Sequence, residues 1–202
     1  PRQDGLTLFY RASALAHINR FIAVRRLDHG PFTFEKPRKI AFFPGTFDPF
    51  TLSHKGIVHA IRDLGFEVYL AVDEFSWSKK AQPHLIRRQI VNLSVAGDFH
   101  VHLFPDDIPV NIANPADLRR LTELFPGQKV YIVAGSDVVA NASSYKAEPQ
   151  PYSIHQMNHV IFRRAGEAEL TGRLPINGRV IQLQLPPHLE DISSTRIREN
   201  VD

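Results

Sequence analysis

The sequence contains no cysteine. Disulfides and thiolate metal sites are therefore excluded, and a reducing compartment is permitted. No apolar run approaches the roughly 20 residues that a membrane span needs. No basic, then apolar, then small-residue order of a secretory signal is present, so a cytoplasmic protein is the expectation. GxxxxGKS/T and GxGxxG are both missing, and the P-loop ATPase and dehydrogenase readings lose their main support with them. There is no internal repeat and no low-complexity tract. An excess of one charge is also lacking: 24 Lys and Arg stand against 21 Asp and Glu, a net +3. That balance suits small phosphate ligands better than a nucleic-acid stripe. The first residue is Pro1 rather than Met, as expected of a processed product or an excerpt of a longer chain.

What is present suits one α/β domain with an extension: 202 residues, of which 43% are hydrophobic. Residues 5–26 carry apolar side chains at helical spacing, at Leu8, Ala12, Leu15, Ala16 and Ile22. A linker with Gly30, Pro31 and Pro37 follows, so a helical segment and linker over 1–37 and a main domain over 38–202 are expected. From Lys39 onward the pattern alternates. KIAFFPG, EVYLAV, FHVHLF, KVYIVAG, HVIFRR and RVIQLQL read as strands. TLSHKGIVHAIRDLG, QPHLIRRQIVNLSVAG and NPADLRRLTELFPG read as helices between the first four, with Asn114 as N-cap and Pro115 at the first helical position. Strand–helix alternation implies βαβ units, hence a Rossmann-like parallel sheet of five or six strands covered on both faces. Ligands bind such sheets at the carboxyl ends of the strands, so the residues just after strands carry the functional information.

The densest such segment is FFPGTFDPFTLSHKGI, residues 42–57. Gly45 ends the strand, where a missing side chain lets a ligand approach the backbone. Thr51 is a good N-cap for a helix starting near Leu52, and His54 falls in its first turn. Free N–H groups and the helix dipole favour an anion there and oppose an imidazolium, so a bound phosphate is the natural partner of a protonated His54. A plain strand-to-helix turn with a capping Thr and a surface His explains the turn chemistry equally well. A second candidate clamp is DISSTRIREN, residues 191–200: Ser193, Ser194 and Thr195 at a helix start, with the Arg198 fork one turn on. Alone, it reads as a capping box.

Together these motifs resemble a known family. GTFDPFTLSH is similar to the nucleotidyltransferase signature GTFDP followed by HxGH or TxxH. DISSTRIREN is similar to the ISSTxIR signature of nicotinate and nicotinamide mononucleotide adenylyltransferases. Thr51 stands where many members have the first His, and Ser53 where many have Gly. YIVAGSDVVANASSY resembles the family's GAD…W, with Gly135 and Asp137 matching and Tyr145 in the place of the ring-stacking Trp. KKAQPHLIRRQIV resembles the segment with a phosphate-binding Lys and a later Arg, matched by Lys79 or Lys80 and by Arg88. FRRAG resembles the family's RPG through Arg164 and Gly166. The resemblance spans residues 39–199. The N-terminal helix lies outside it, and the family's usual tail after SSTxIR has no counterpart.

The resemblance implies a nucleotidyltransferase fold and adenylyl transfer from ATP to a pyridine mononucleotide, in NAD biosynthesis. It implies catalytic roles for His54 and Thr51. ATP contacts fall to Gly45, Thr46, Phe47, Lys79, Lys80, Ser193, Ser194, Thr195 and Arg198. Acceptor contacts fall to Asp48, Arg88, Gly135 and Asp137, with Tyr145 or Trp77 stacking on the pyridine. Mg²⁺ is implied through the ATP phosphates, with no metal held by the protein itself: His100 and His102 alternate on one strand, but no third ligand has suitable spacing. No nucleic-acid or membrane partner is expected, and homo-oligomerisation is left open. Trp77 reads equally as packing, and the Lys/Arg cluster at 79–88 as a solvated helix face. Two competing functions stand beside this one: an adenylyltransferase for another phosphate monoester such as phosphopantetheine, and a nucleotide-binding regulatory module without turnover.

Overall fold

The computed structural model describes residues 39–73, 81–163 and 174–184, together with Ala14, Ile18 and Ile22. The chain divides into two units, Pro1–Lys36 and Pro37–Asp202. In the first, Ala14, Ile18 and Ile22 are each helical. Among the described residues of the second, six strands run β1 (Lys39–Gly45), β2 (Glu67–Val72), β3 (Val101–Leu103), β4 (Lys129–Gly135), β5 (Asn158–Arg163) and β6 (Val180–Gln184). Five α-helices among those residues are interleaved with them: α1 (Leu52–Asp63), α2 (His84–Val95), α3 (Pro115–Glu123), α4 (Ser136–Asn141) and α5 (Ser143–Lys146). All strand pairs are parallel, in the order β3-β2-β1-β4-β5-β6. This is the Rossmann-like parallel sheet, at six strands, that the sequence led us to expect. Among the described residues no helix is long and apolar enough to cross a membrane.

The sheet order dictates which face each helix covers. The chain moves outward from β1 to β2 to β3, then returns past β1 to lay down β4 and moves the other way. Right-handed crossovers put α1 and α2 on one face and the return helix α3 on the other. The core divides accordingly. Ile57, Val58 and Ile61 of α1 and Val91 and Val95 of α2 pack with Ala41, Phe43, Val133 and Phe162. Leu118 and Leu121 of α3 pack on the opposite face with Ile40, Phe42, Ile132 and Ile161. β1 and β4, buried on both faces, are continuous apolar runs for that reason.

Helix starts follow local chemistry. Thr51 caps α1, and its side chain accepts from the N–H of His54. Asn114 caps α3 and accepts from Ala116, with Pro115 as first residue. β3 is shorter than FHVHLF suggests. His100 takes a left-handed φ of 61° and Pro105 follows Phe104, so the regular ladder is confined to three residues. His100 therefore leaves the strand, while His102 stays on it. Both reach Glu67, His102 Nε2 at 2.6 Å and His100 Nδ1 at 3.6 Å.

Candidate active site

β1 and β4 pair only from Lys39 and Lys129 to Phe42 and Ile132. Beyond that point β1 continues with β2 as far as Gly45 and Val72, and β4 continues with β5 as far as Gly135 and Phe162. The two central strands thus lose each other over their last three residues, at the place where strand order reverses. That is where an open parallel sheet accepts its ligand.

The β1 side of this mouth is an aromatic turn. Phe47 has a left-handed φ of 46°, a conformation that costs an L side chain roughly 1–2 kcal/mol. The cost is offset by burial: the ring is 3% exposed and meets Phe43 and Phe50 at centroid distances of 5.3 and 5.5 Å. A Cβ on Gly45 would lie 2.9 Å from that ring. Gly45 is therefore required by Phe47. Phe47 is likewise a core side chain, and only its backbone is left for an ATP contact. Asp48, Thr51 and Ser53 are all buried at 4% exposure, and the Asp48–Pro49 bond is cis.

His54 stands at the third position of α1, among Phe43, Phe47 and Phe50. Phe50 stacks on its ring at 5.5 Å and 24°, and Phe47 meets it edge-on at 5.3 Å and 85°. Its Nδ1 accepts from the Thr51 backbone N–H at 3.1 Å and lies 2.8 Å from Thr51 Oγ1. The Thr51–His54 pair is thus a capping box in which an imidazole takes the place of the usual carboxylate or amide.

Arg87 joins this turn to its neighbours. It is 2% exposed and donates to three carbonyls: Gln82 at 2.8 Å, Thr46 at 2.5 Å and Asp73 at 2.9 Å. One guanidinium so ties the loop after β1, the end of β2 and the approach to α2. Burial pushes the Asp73 carboxyl up, and Arg87 offsets part of that shift. Arg88, the residue expected to meet the acceptor, makes none of these three bonds and donates to Asp106 at 2.7 Å and to the Phe104 carbonyl at 3.0 Å. The signal that separates the two was in the sequence. Arg87 shares a helical face with Val91 and Val95, the apolar stripe of α2.

On the β4 side, Gly135 leads directly into α4. An Asp137 carboxylate oxygen occupies the place where a Gly135 side chain would stand. The glycine lets Asp137 fold back over the end of its own strand. Tyr145 corrects another expectation. Its ring is 3% exposed in the core, and its hydroxyl donates to His159 Nε2 at 2.9 Å. Burial raises its pKa far above the usual tyrosine value. A ring so enclosed offers no face to a pyridine.

Residues 42–200 match the family model described as cytidylyltransferase-like. The chain belongs to the cytidylyltransferase-like family. It is a nucleotidyltransferase. Among solved structures it is similar to the Plasmodium falciparum nicotinic acid mononucleotide adenylyltransferase complexed with APC, at 16% identity and a TM-score of 0.61, over 80% of this chain and 83% of that one. The same enzyme complexed with NaAD superposes at 16% identity and 0.62 over the same shares. A Vibrio parahaemolyticus protein assigned as a nicotinate-nucleotide adenylyltransferase follows at 21% identity and 0.51, over 80% and 85%. At these identities the likeness is one of fold. No curated protein sequence matches.

In this cytidylyltransferase-like domain the strand ends bring Gly45, Thr46, Phe47, Asp48, Thr51 and His54 to one lip of the mouth and Gly135 and Asp137 to the other. Trp77, Lys79, Lys80, Arg164, Gly166, Ser193, Ser194, Thr195 and Arg198 lie outside the described residues. Arg87, Asp73 and Phe50 join the site region without having been expected there.

Proposed function

We propose that the chain transfers the adenylyl group of ATP to nicotinate or nicotinamide mononucleotide, releasing pyrophosphate and forming the dinucleotide. The observation that carries this reading is His54, held in the first turn of α1 at the mouth where β1 and β4 part, with Asp137 folded over the opposing strand end. The choice of acceptor is supported by the likeness of SSTRIR to the pyridine-mononucleotide signature and by the named activity of the similar structures.

A phosphate oxygen of the mononucleotide forms a bond to the α-phosphorus of ATP as the bond from that phosphorus to the β-bridging oxygen breaks. The attacking phosphate is ionised at neutral pH, so no protein nucleophile or base is needed. Catalysis reduces to alignment and to stabilising negative charge. His54 meets an α- or β-phosphate oxygen. Ser193, Ser194, Thr195 and Arg198, with Lys79 or Lys80, hold the rest of the triphosphate. Asp137 meets the acceptor, and with Tyr145 enclosed, Trp77 is the remaining stacking ring. Mg²⁺ would be carried on the ATP phosphates, where it would neutralise part of their charge.

Incubation with ATP, Mg²⁺ and each mononucleotide, followed by chromatography, tests the reading. A new dinucleotide peak is expected with at least one of them. CTP in place of ATP is the control for the nucleotide, because the family is named for cytidylyl transfer.

A further inference from the structure

We infer that His54 works as a neutral imidazole whose proton is fixed on Nε2, and that Thr51 is the positioning residue that fixes it. The inference rests on the function proposed above for its use in catalysis, but not for the tautomer itself. A backbone N–H can only donate. The Thr51 N–H at 3.1 Å therefore requires a lone pair on Nδ1, and a proton there would meet that N–H head-on. The Thr51 hydroxyl completes the arrangement. It accepts from the His54 backbone N–H at 3.3 Å, which directs its own hydrogen to Nδ1 at 2.8 Å. With Nδ1 accepting, the ring's one proton is on Nε2.

The surroundings act in the same direction. The ring is 8% exposed, so a charge on it is poorly solvated. It stands in the first turn of a twelve-residue helix, whose dipole disfavours a cation. Phe50, stacked on its face, attracts a cation. The neutral ring keeps its stacking on Phe50, and the clash at Nδ1 on protonation does not depend on Phe50 at all. The expectation of a protonated His54 is thereby revised. What His54 gives a phosphate is one N–H hydrogen bond, and the compensating positive charge comes from Lys, Arg and Mg²⁺ elsewhere. Thr51, in the place where related motifs carry a first His, then acts through His54 rather than on the nucleotide.

The test is ¹H–¹⁵N correlation through two bonds on uniformly ¹⁵N-labelled protein. The His54 signals are assigned by their loss in His54→Gln and recorded at pH 7 with and without a non-hydrolysable ATP analogue. The expected pattern is the neutral Nε2–H tautomer in both states. An Nδ1–H tautomer or an imidazolium in either state overturns the inference. Thr51→Ser, which keeps both the hydroxyl and the backbone N–H, should keep the Nε2–H pattern. Thr51→Val keeps the backbone N–H and so should keep the Nε2–H tautomer, while loss of the hydroxyl bond to Nδ1 loosens the ring and should lower kcat roughly 10-fold or more, at unchanged ATP KM. If Thr51→Val does not fold, the spectrum of the unsubstituted protein still decides. That spectrum needs no turnover, so a protein that forms no dinucleotide would end the functional proposal and leave the tautomer testable.

Discussion

Arg87 and Arg88 are neighbours with opposite fates, and the difference is measurable. Arg87 is buried, and its three carbonyl partners lose their donor if it is removed. Each unsatisfied buried group costs about 1–3 kcal/mol. Arg87→Met should therefore destabilise the fold by roughly 3 kcal/mol or more by urea unfolding. Arg88→Ala breaks a half-exposed pair with Asp106 and should cost about 1 kcal/mol at most. Greater damage from Arg88→Ala would reverse the assignment. For His54, loss of a single electrostatic donor lowers kcat by roughly 10²-fold. His54→Ala should show that loss with folding intact, and a near-normal kcat removes His54 from the mechanism. Thr51, His54 and Asn114 were legible in the sequence because capping is local chemistry within a few residues. Tyr145 was not, because the letter Y after a loop does not say whether the ring is covered. What covers it here is packing with Val139, Ile154 and Met157, set by the tertiary fold.

At the scale of elements, the segment from α5 to β5 is held by a chain of hydrogen bonds, most of them buried. The Gln150 N–H donates to Ser153 Oγ, which donates to His155 Nδ1, and His155 Nε2 donates to the Tyr145 carbonyl. The Tyr145 hydroxyl donates to His159 Nε2, and His159 Nδ1 donates to the Met157 carbonyl. This chain fastens Tyr145 and the loop after it to the start of β5. Burial lowers the pKa of His159 to about 4, only partly opposed by its bond to Met157. The unfolded chain takes up this proton first, near pH 6.5. Stability from this group is thus complete above about pH 6.5 and is lost as pH falls towards 4, by about 3 kcal/mol in all. Urea unfolding at pH 7.5 and 4.5 should show a drop that is smaller in His159→Phe. Equal drops in both proteins would place the acid sensitivity elsewhere. The three longer helices were legible because their apolar residues recur at helical spacing over two or more turns, and the six strands as short apolar runs rich in Val, Ile and Phe. α4 and α5 were not, since six and four residues are too few to show one.

At the scale of the whole molecule, alternation of strands and helices announced a parallel sheet, but it carries no information on strand order. Order is decided by which edge each crossover packs against, and it is the order that makes β1 and β4 neighbours and then lets them part. The motif in residues 42–57 and the Gly135–Asp137 pair, far apart in sequence, become two lips of one mouth only through that topology. The central claim is that this mouth joins an adenylyl group to a pyridine mononucleotide. The direct measurement is the initial rate of pyrophosphate release with ATP and Mg²⁺, compared across nicotinate mononucleotide, nicotinamide mononucleotide and phosphopantetheine. The account predicts release with a pyridine mononucleotide and none above background with phosphopantetheine. Release with phosphopantetheine alone, or ATP binding with no release for any acceptor, would contradict it.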